Sequence, residues 1–119
     1  MTPQPAAPPP IDLKRLSRTL GVEDEKILIS FLDLFLEEFP KLSTKLKIAI
    51  EAQDPTATHH AAHAAKGAAA NAAAPVLTQL LKSIQEDAHQ EDWGAMSALY
   101  DDITLEHKKI VAYRHTHQT

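Results

Sequence analysis

From Ile11 onward, apolar side chains recur at every third or fourth position and never alternate with polar ones over a useful length. That rhythm predicts helices and no strands. The run IDLKRLSRTL places Ile11, Leu13, Leu16 and Leu20 together on a short helix that Gly21 ends. A long helix is expected from about Glu23, with Leu28, Phe31, Leu32, Phe35 and Phe39 as its apolar stripe. Ile27, Leu34 and Leu36 widen that stripe beyond one core face. Some of this surplus should be covered by the first helix, or remain exposed for a partner. Pro40 is expected to kink this helix, which resumes as Leu42, Leu46, Ile48, Ala49 and Ala52.

Asp54-Pro55 reads as an N-cap followed by proline in the first helical position, opening a helix to about Ala73. Pro75 opens another, carrying Val76, Leu77, Leu80, Leu81, Ile84 and Ala88. After the polar link His89-Gln90-Glu91-Asp92, a last helix from Trp93 to about Arg114 presents Trp93, Met96, Tyr100, Ile103 and Ile110. Links this short force antiparallel neighbours. The expected fold is all-α: an antiparallel up-down-up-down four-helix bundle with a short N-terminal capping helix. Pro3, Pro5, Pro8, Pro9 and Pro10 mark residues 1–10 as a disordered tail. Residues 11–115 are then one domain and 116–119 a polar tail without structural role.

Composition narrows the functions. A chain of 119 residues, 44% apolar and 24% charged, is one globular domain. With 0 Cys there is no disulfide, thiolate zinc site, iron–sulfur cluster or Cys nucleophile. A net charge of −4 argues against nucleic acid as partner. No signal peptide or membrane span is readable, so a cytoplasmic protein is expected.

The helix after Pro55 is the informative one, because alanine fills most of positions 57–74. On a helical wheel Ala61, Ala65, Ala68 and Ala72 lie opposite His63, whereas His59, Lys66, Gly67, Ala70 and Ala74 share its side. Gly67 costs roughly 1 kcal/mol relative to Ala inside a helix, so its presence among alanines asks for a reason. An outward imidazole, an ammonium one turn later and a gap beside them suit a phosphoryl acceptor. Neutral imidazole attacks phosphorus, and the ammonium offsets the phosphoryl charge. Two other readings stand beside this one. His59 and His63, at i and i+4, have a metal-chelating spacing, although Lys66 would repel a cation. Alternatively, the bundle is an adaptor in which His63 is inert. His60, His89, His107, His115 and His117 read as incidental.

The stretch Ala62-His63-Ala64-Ala65-Lys66-Gly67-Ala68-Ala69-Ala70-Asn71 resembles the signature of histidine-containing phosphotransfer (Hpt) domains, roughly A-H-x-L-K-G-[SA]-[SA]-A-N. The resemblance extends to FLDLFLEEF, the following P-x-L and an Asp ahead of the His helix, and so covers about residues 11–114. The chain departs from it at Ala65, where Leu is usual, and at Ala72-Ala73, where Leu-Gly is frequent. The second change matters only if the backbone bends there.

The resemblance implies that His63 is phosphorylated through Nε2, with Lys66 assisting by charge and Gly67 by clearance. Gln85, on the next helix, would hydrogen-bond the imidazole. It implies a phosphocarrier without kinase activity in a two-component phosphorelay. The partners would be response-regulator receiver domains or a hybrid sensor histidine kinase, with no nucleic acid and no membrane. The chain would bind no cofactor of its own, the Mg²⁺ coming with the receiver. Docking is expected around His59, Ala62, Ala70 and Leu34, on a monomer.

Overall fold

The computed structural model describes residues 9–117. Helix α1, Leu13–Leu20, starts where the Asp12 carboxylate accepts the Arg15 N–H at 3.0 Å. It stops at Gly21, whose φ of 67° is the left-handed conformation that a side chain disfavours. Helix α2, Glu25–Glu51, is capped by Asp24, and it runs on through Pro40 as one element. Helix α3, Pro55–Asn71, has Asp54 as N-cap, accepting from the Ala57 N–H at 3.0 Å, with proline in its first turn. Helix α4, Pro75–Asp87, passes into a 3₁₀ turn at Ala88–Gln90. Helix α5, Trp93–Thr116, begins at an Asp92 cap.

Helices α2, α3, α4 and α5 follow one another around a single core, with α2 closing back on α5. Leu32, Phe35, Phe39 and Leu46 of α2 meet Leu77, Leu81 and Ile84 of α4 and Met96, Ile103 and Ile110 of α5. Between them α3 contributes the methyl groups of Ala62, Ala65 and Ala69, and the one larger side chain that it buries is Thr58. The large side chains of the other helices therefore supply most of the hydrophobic driving force. Ser43 and Tyr100 share a hydrogen bond of 2.9 Å across α2 and α5, and Arg114 clamps Asp33 at 2.6 and 3.2 Å.

Helix α1 lies over one end, where Leu16, Leu28 and Ala73 form a small second cluster flanked by Phe31. The Asp12 N–H donates to the Ala73 carbonyl at 2.8 Å and fixes that cap to the α3–α4 link. The bundle expected from the sequence is thus the observed one.

Several details differ from the expectation. Helix α3 ends at Asn71, and Ala72, Ala73 and Ala74 form a buried link in which Ala73 has φ 56°. The backbone bends where glycine is frequent in similar sequences, and a left-handed alanine costs roughly 1–2 kcal/mol. Ile48 and Ala52 face solvent rather than the core, whereas Ile29 and Ile50 are buried. The end of the chain is not an inert tail. His115 and Thr116 complete α5, and the His117 ring packs on Tyr113 with centroids 4.2 Å apart while its Nδ1–H donates to the Tyr113 carbonyl. Residues 1–8 and 118–119, most of the two expected tails, lie outside the described residues.

Candidate functional site

His63 stands midway along α3 with its ring exposed. The alanines that make α3 thin let α4 come close enough for Gln85 to reach it. The Gln85 amide nitrogen lies 3.1 Å from His63 Nδ1. In that pairing the amide donates, Nδ1 accepts and a neutral ring keeps its proton on Nε2. The amide oxygen is then buried without a partner. A half-turn of the amide exchanges its two ends, so that Oε1 gains the Nδ1–H as donor and Nε2 keeps its lone pair toward solvent. One contact thus decides which ring nitrogen is nucleophilic.

Lys66 follows one turn later, half-buried, and no ion pair among the described residues engages it. Its charge is free for an anion at His63. Gly67 is exposed, and a Cβ added there would meet nothing within 4 Å, the His63 ring included. The glycine therefore makes no room inside the chain. Any clearance it gives is for something arriving from outside.

The residues expected to dock a partner are dispersed. Ala70 and Leu34 are exposed, Leu34 at 59%. Ala62 is 0% exposed, so it belongs to the core and cannot touch a partner. The wheel centred the buried face opposite His63. The buried set is instead Thr58, Ala62, Ala65, Ala69 and Ala72, with Ala61 and Ala68 half-buried at its margin. At 100° per residue, that arc is turned by about 40°. The turn brings Ala62 and His59 toward α4, the helix that supplies Gln85.

On the other side of α3 an open apolar groove of about 480 Å³ runs between α2 and α3. Leu42, Ile48, Ala49, Ala61 and Ala64 line it, with Lys45 and His60 among the polar residues at its walls. Ala64 is the neighbour of His63 in the chain. Sequence periodicity missed this groove because it placed Ile48 in the core. None of Leu34, Ala70 and His59 lines it.

His59 is half-buried, and its Nδ1 lies 3.1 Å from the main-chain carbonyl of Gln85. Its ring also packs against those of His60 and His89, each with centroids 5.6 Å away. The incidental reading of His89 thus misses its contact with this site. One ring nitrogen of His59 is already engaged. Among the described residues no group of three or more His, Cys, Asp or Glu side chains is arranged to hold a metal ion.

Residues 30–108 match the Hpt domain family. The crystal structure of histidine-containing phosphotransfer protein B (HptB) from Pseudomonas aeruginosa PAO1 is similar in fold, with a TM-score of 0.75 at 24% sequence identity. The match covers 94% of this chain and 100% of that one. No curated protein matches the chain.

Proposed function

This chain belongs to the Hpt domain family, and from that premise we propose that His63 is the residue that accepts and passes on its phosphoryl group. Hpt domains relay phosphate between two-component partners and lack kinase activity of their own. The observation that carries the assignment to His63 is its exposed ring on a core helix, with Nδ1 beside the Gln85 amide.

The step is a displacement at phosphorus. The lone pair of His63 Nε2 attacks the phosphoryl group of an aspartyl phosphate on a receiver domain. The N–P bond forms as the P–O bond breaks, and the aspartate leaves as a carboxylate. Gln85 Oε1 holds the Nδ1 proton throughout, which keeps Nε2 unprotonated and stabilises the positive charge that develops on the ring. The Lys66 ammonium balances negative charge on the phosphoryl oxygens. Mg²⁺ comes with the receiver, whose acidic residues would hold it. Return to a second receiver reverses the same events. The α2–α3 groove beside Ala64 offers apolar area on which a receiver can dock. Among the described residues no helix is long and apolar enough to cross a membrane, which fits a relay between partners in the cytoplasm.

The test is transfer from a receiver domain charged with acetyl phosphate. The expected product carries acid-labile, alkali-stable label, and His63→Gln carries none. Label that persists in His63→Gln, or that never appears on the folded wild-type chain with any receiver of the same genome, overturns the assignment.

A further inference from the structure

Gln85 is held by α3 at two points, and only one of them is His63. Its side-chain amide lies 3.1 Å from His63 Nδ1, and its main-chain carbonyl lies 3.1 Å from His59 Nδ1. A carbonyl can only accept, so Nδ1 of His59 carries the hydrogen and its tautomer is fixed. His59 and His63 are one turn apart on α3, and Gln85 spans them from α4.

The position along α4 explains why such a hold is needed. Helix α4 ends at Asp87, so the Gln85 carbonyl is among the last four, which have no partner in a regular α-helix. Beyond it the chain tightens into the 3₁₀ turn at Ala88–Gln90. A helix end frays, and a glutamine side chain adds several rotatable bonds of its own. Left alone, the amide would meet His63 only part of the time. The imidazole of His59 caps this carbonyl, and the His89 ring, packed at 5.6 Å, secures the same turn against α3.

We propose that His59 is a positioning residue for phosphoryl transfer: it holds the Gln85 main chain in register so that the Gln85 amide fixes the tautomer and orientation of His63. This rests on the reading that His63 is the acceptor. His59 touches no reacting atom and acts through Gln85 alone.

The test compares His59→Leu with His59→Asn. In asparagine, Nδ2 is as many bonds from Cα as Nδ1 is in histidine, so His59→Asn keeps the donor that His59→Leu removes. Two measurements are made on each folded protein. One is the ¹⁵N resonances of the His63 ring, which report its tautomer. The other is the rate at which phosphoramidate, a small P–N donor that releases ammonia, phosphorylates His63.

In His59→Leu the ring resonances are expected to move toward an unbiased tautomer mixture, and the rate to fall by about threefold to tenfold, the worth of one hydrogen bond. His59→Asn is expected to restore both. Unchanged His63 resonances and rate in His59→Leu would overturn the proposal, even if the melting temperature fell, because that pattern describes a cap and nothing more. So would a His59→Asn protein that behaves like His59→Leu. If the wild-type chain accepts no phosphoryl group, the functional reading fails, yet the ring resonances still decide whether His59 governs His63.

Discussion

At the scale of single residues, the duties proposed for Lys66 and Gly67, which follow His63 by three and four positions, differ. Lys66 is half-buried and unpaired among the described residues, so removing its charge should spare the fold and affect only the anion at His63. Lys66→Ala is expected to slow phosphoryl uptake about tenfold, about 1.4 kcal/mol of transition-state stabilisation, with an unchanged melting temperature. A rate equal to wild type would remove Lys66 from the mechanism. The role proposed for Gly67 is clearance for a partner rather than room inside the chain. Because an added Cβ meets nothing within 4 Å, Gly67→Leu should gain up to about 1 kcal/mol of helix stability. Uptake from phosphoramidate should persist while transfer from a phosphorylated receiver is blocked. Equal loss with both donors would mean that the leucine obstructs the ring itself. His63, Lys66 and Gly67 were legible because they share one helix and a spacing. Gln85 lies 22 positions away and entered through family resemblance. The bond from His59 to the Gln85 carbonyl had no sequence signal, since any residue offers a carbonyl.

Among the elements, α3 shows why a wheel drawn for one helix gives its amphipathicity but not its setting. The buried arc is fixed by where α2 and α4 sit, and α4 draws it toward Ala62 and Ala69. The proline and aspartate signals placed the starts of α3 and α4 correctly, because a missing N–H and a capping carboxylate act locally. The end of α3 was misplaced because Ala72, Ala73 and Ala74 are good helix formers whose left-handed turn is imposed by tertiary contacts. Thr58 carries a similar tertiary cost. It is 0% exposed, and its hydroxyl has no hydrogen-bond partner. A buried group left unsatisfied costs about 1–3 kcal/mol, and valine has nearly the same shape and helix propensity. Thr58→Val should therefore raise stability by about 1 kcal/mol, visible as a higher urea midpoint, with His63 phosphorylation unchanged. A lower midpoint would mean that the hydroxyl finds a partner in solution.

For the molecule as a whole, closure depends on α5 returning against α2, and the sequence was least informative there. Asp33 and Arg114 are 81 positions apart, and no periodic pattern announces their pairing. His107, read as incidental, packs edge-on to Phe39 in this seam, with centroids 5.1 Å apart and its Nε2 buried without a partner. Burial disfavours the charged ring and lowers its pKa below the ordinary 6.5. The sign for stability follows. In the unfolded chain this histidine binds a proton as pH drops through 6.5, whereas the folded chain resists until a lower pH. Acidification therefore favours the unfolded state across that window, and the stability present above it is lost as pH falls toward the folded pKa. Urea unfolding of the wild type should show a lower midpoint at about pH 5.5 than at about pH 7.5, and His107→Leu should show a smaller drop. The other six histidines are common to both proteins, so the difference between the two drops isolates His107. Equal drops would place the acid sensitivity of the bundle elsewhere and show that the α2–α5 seam admits a charged imidazole without loss.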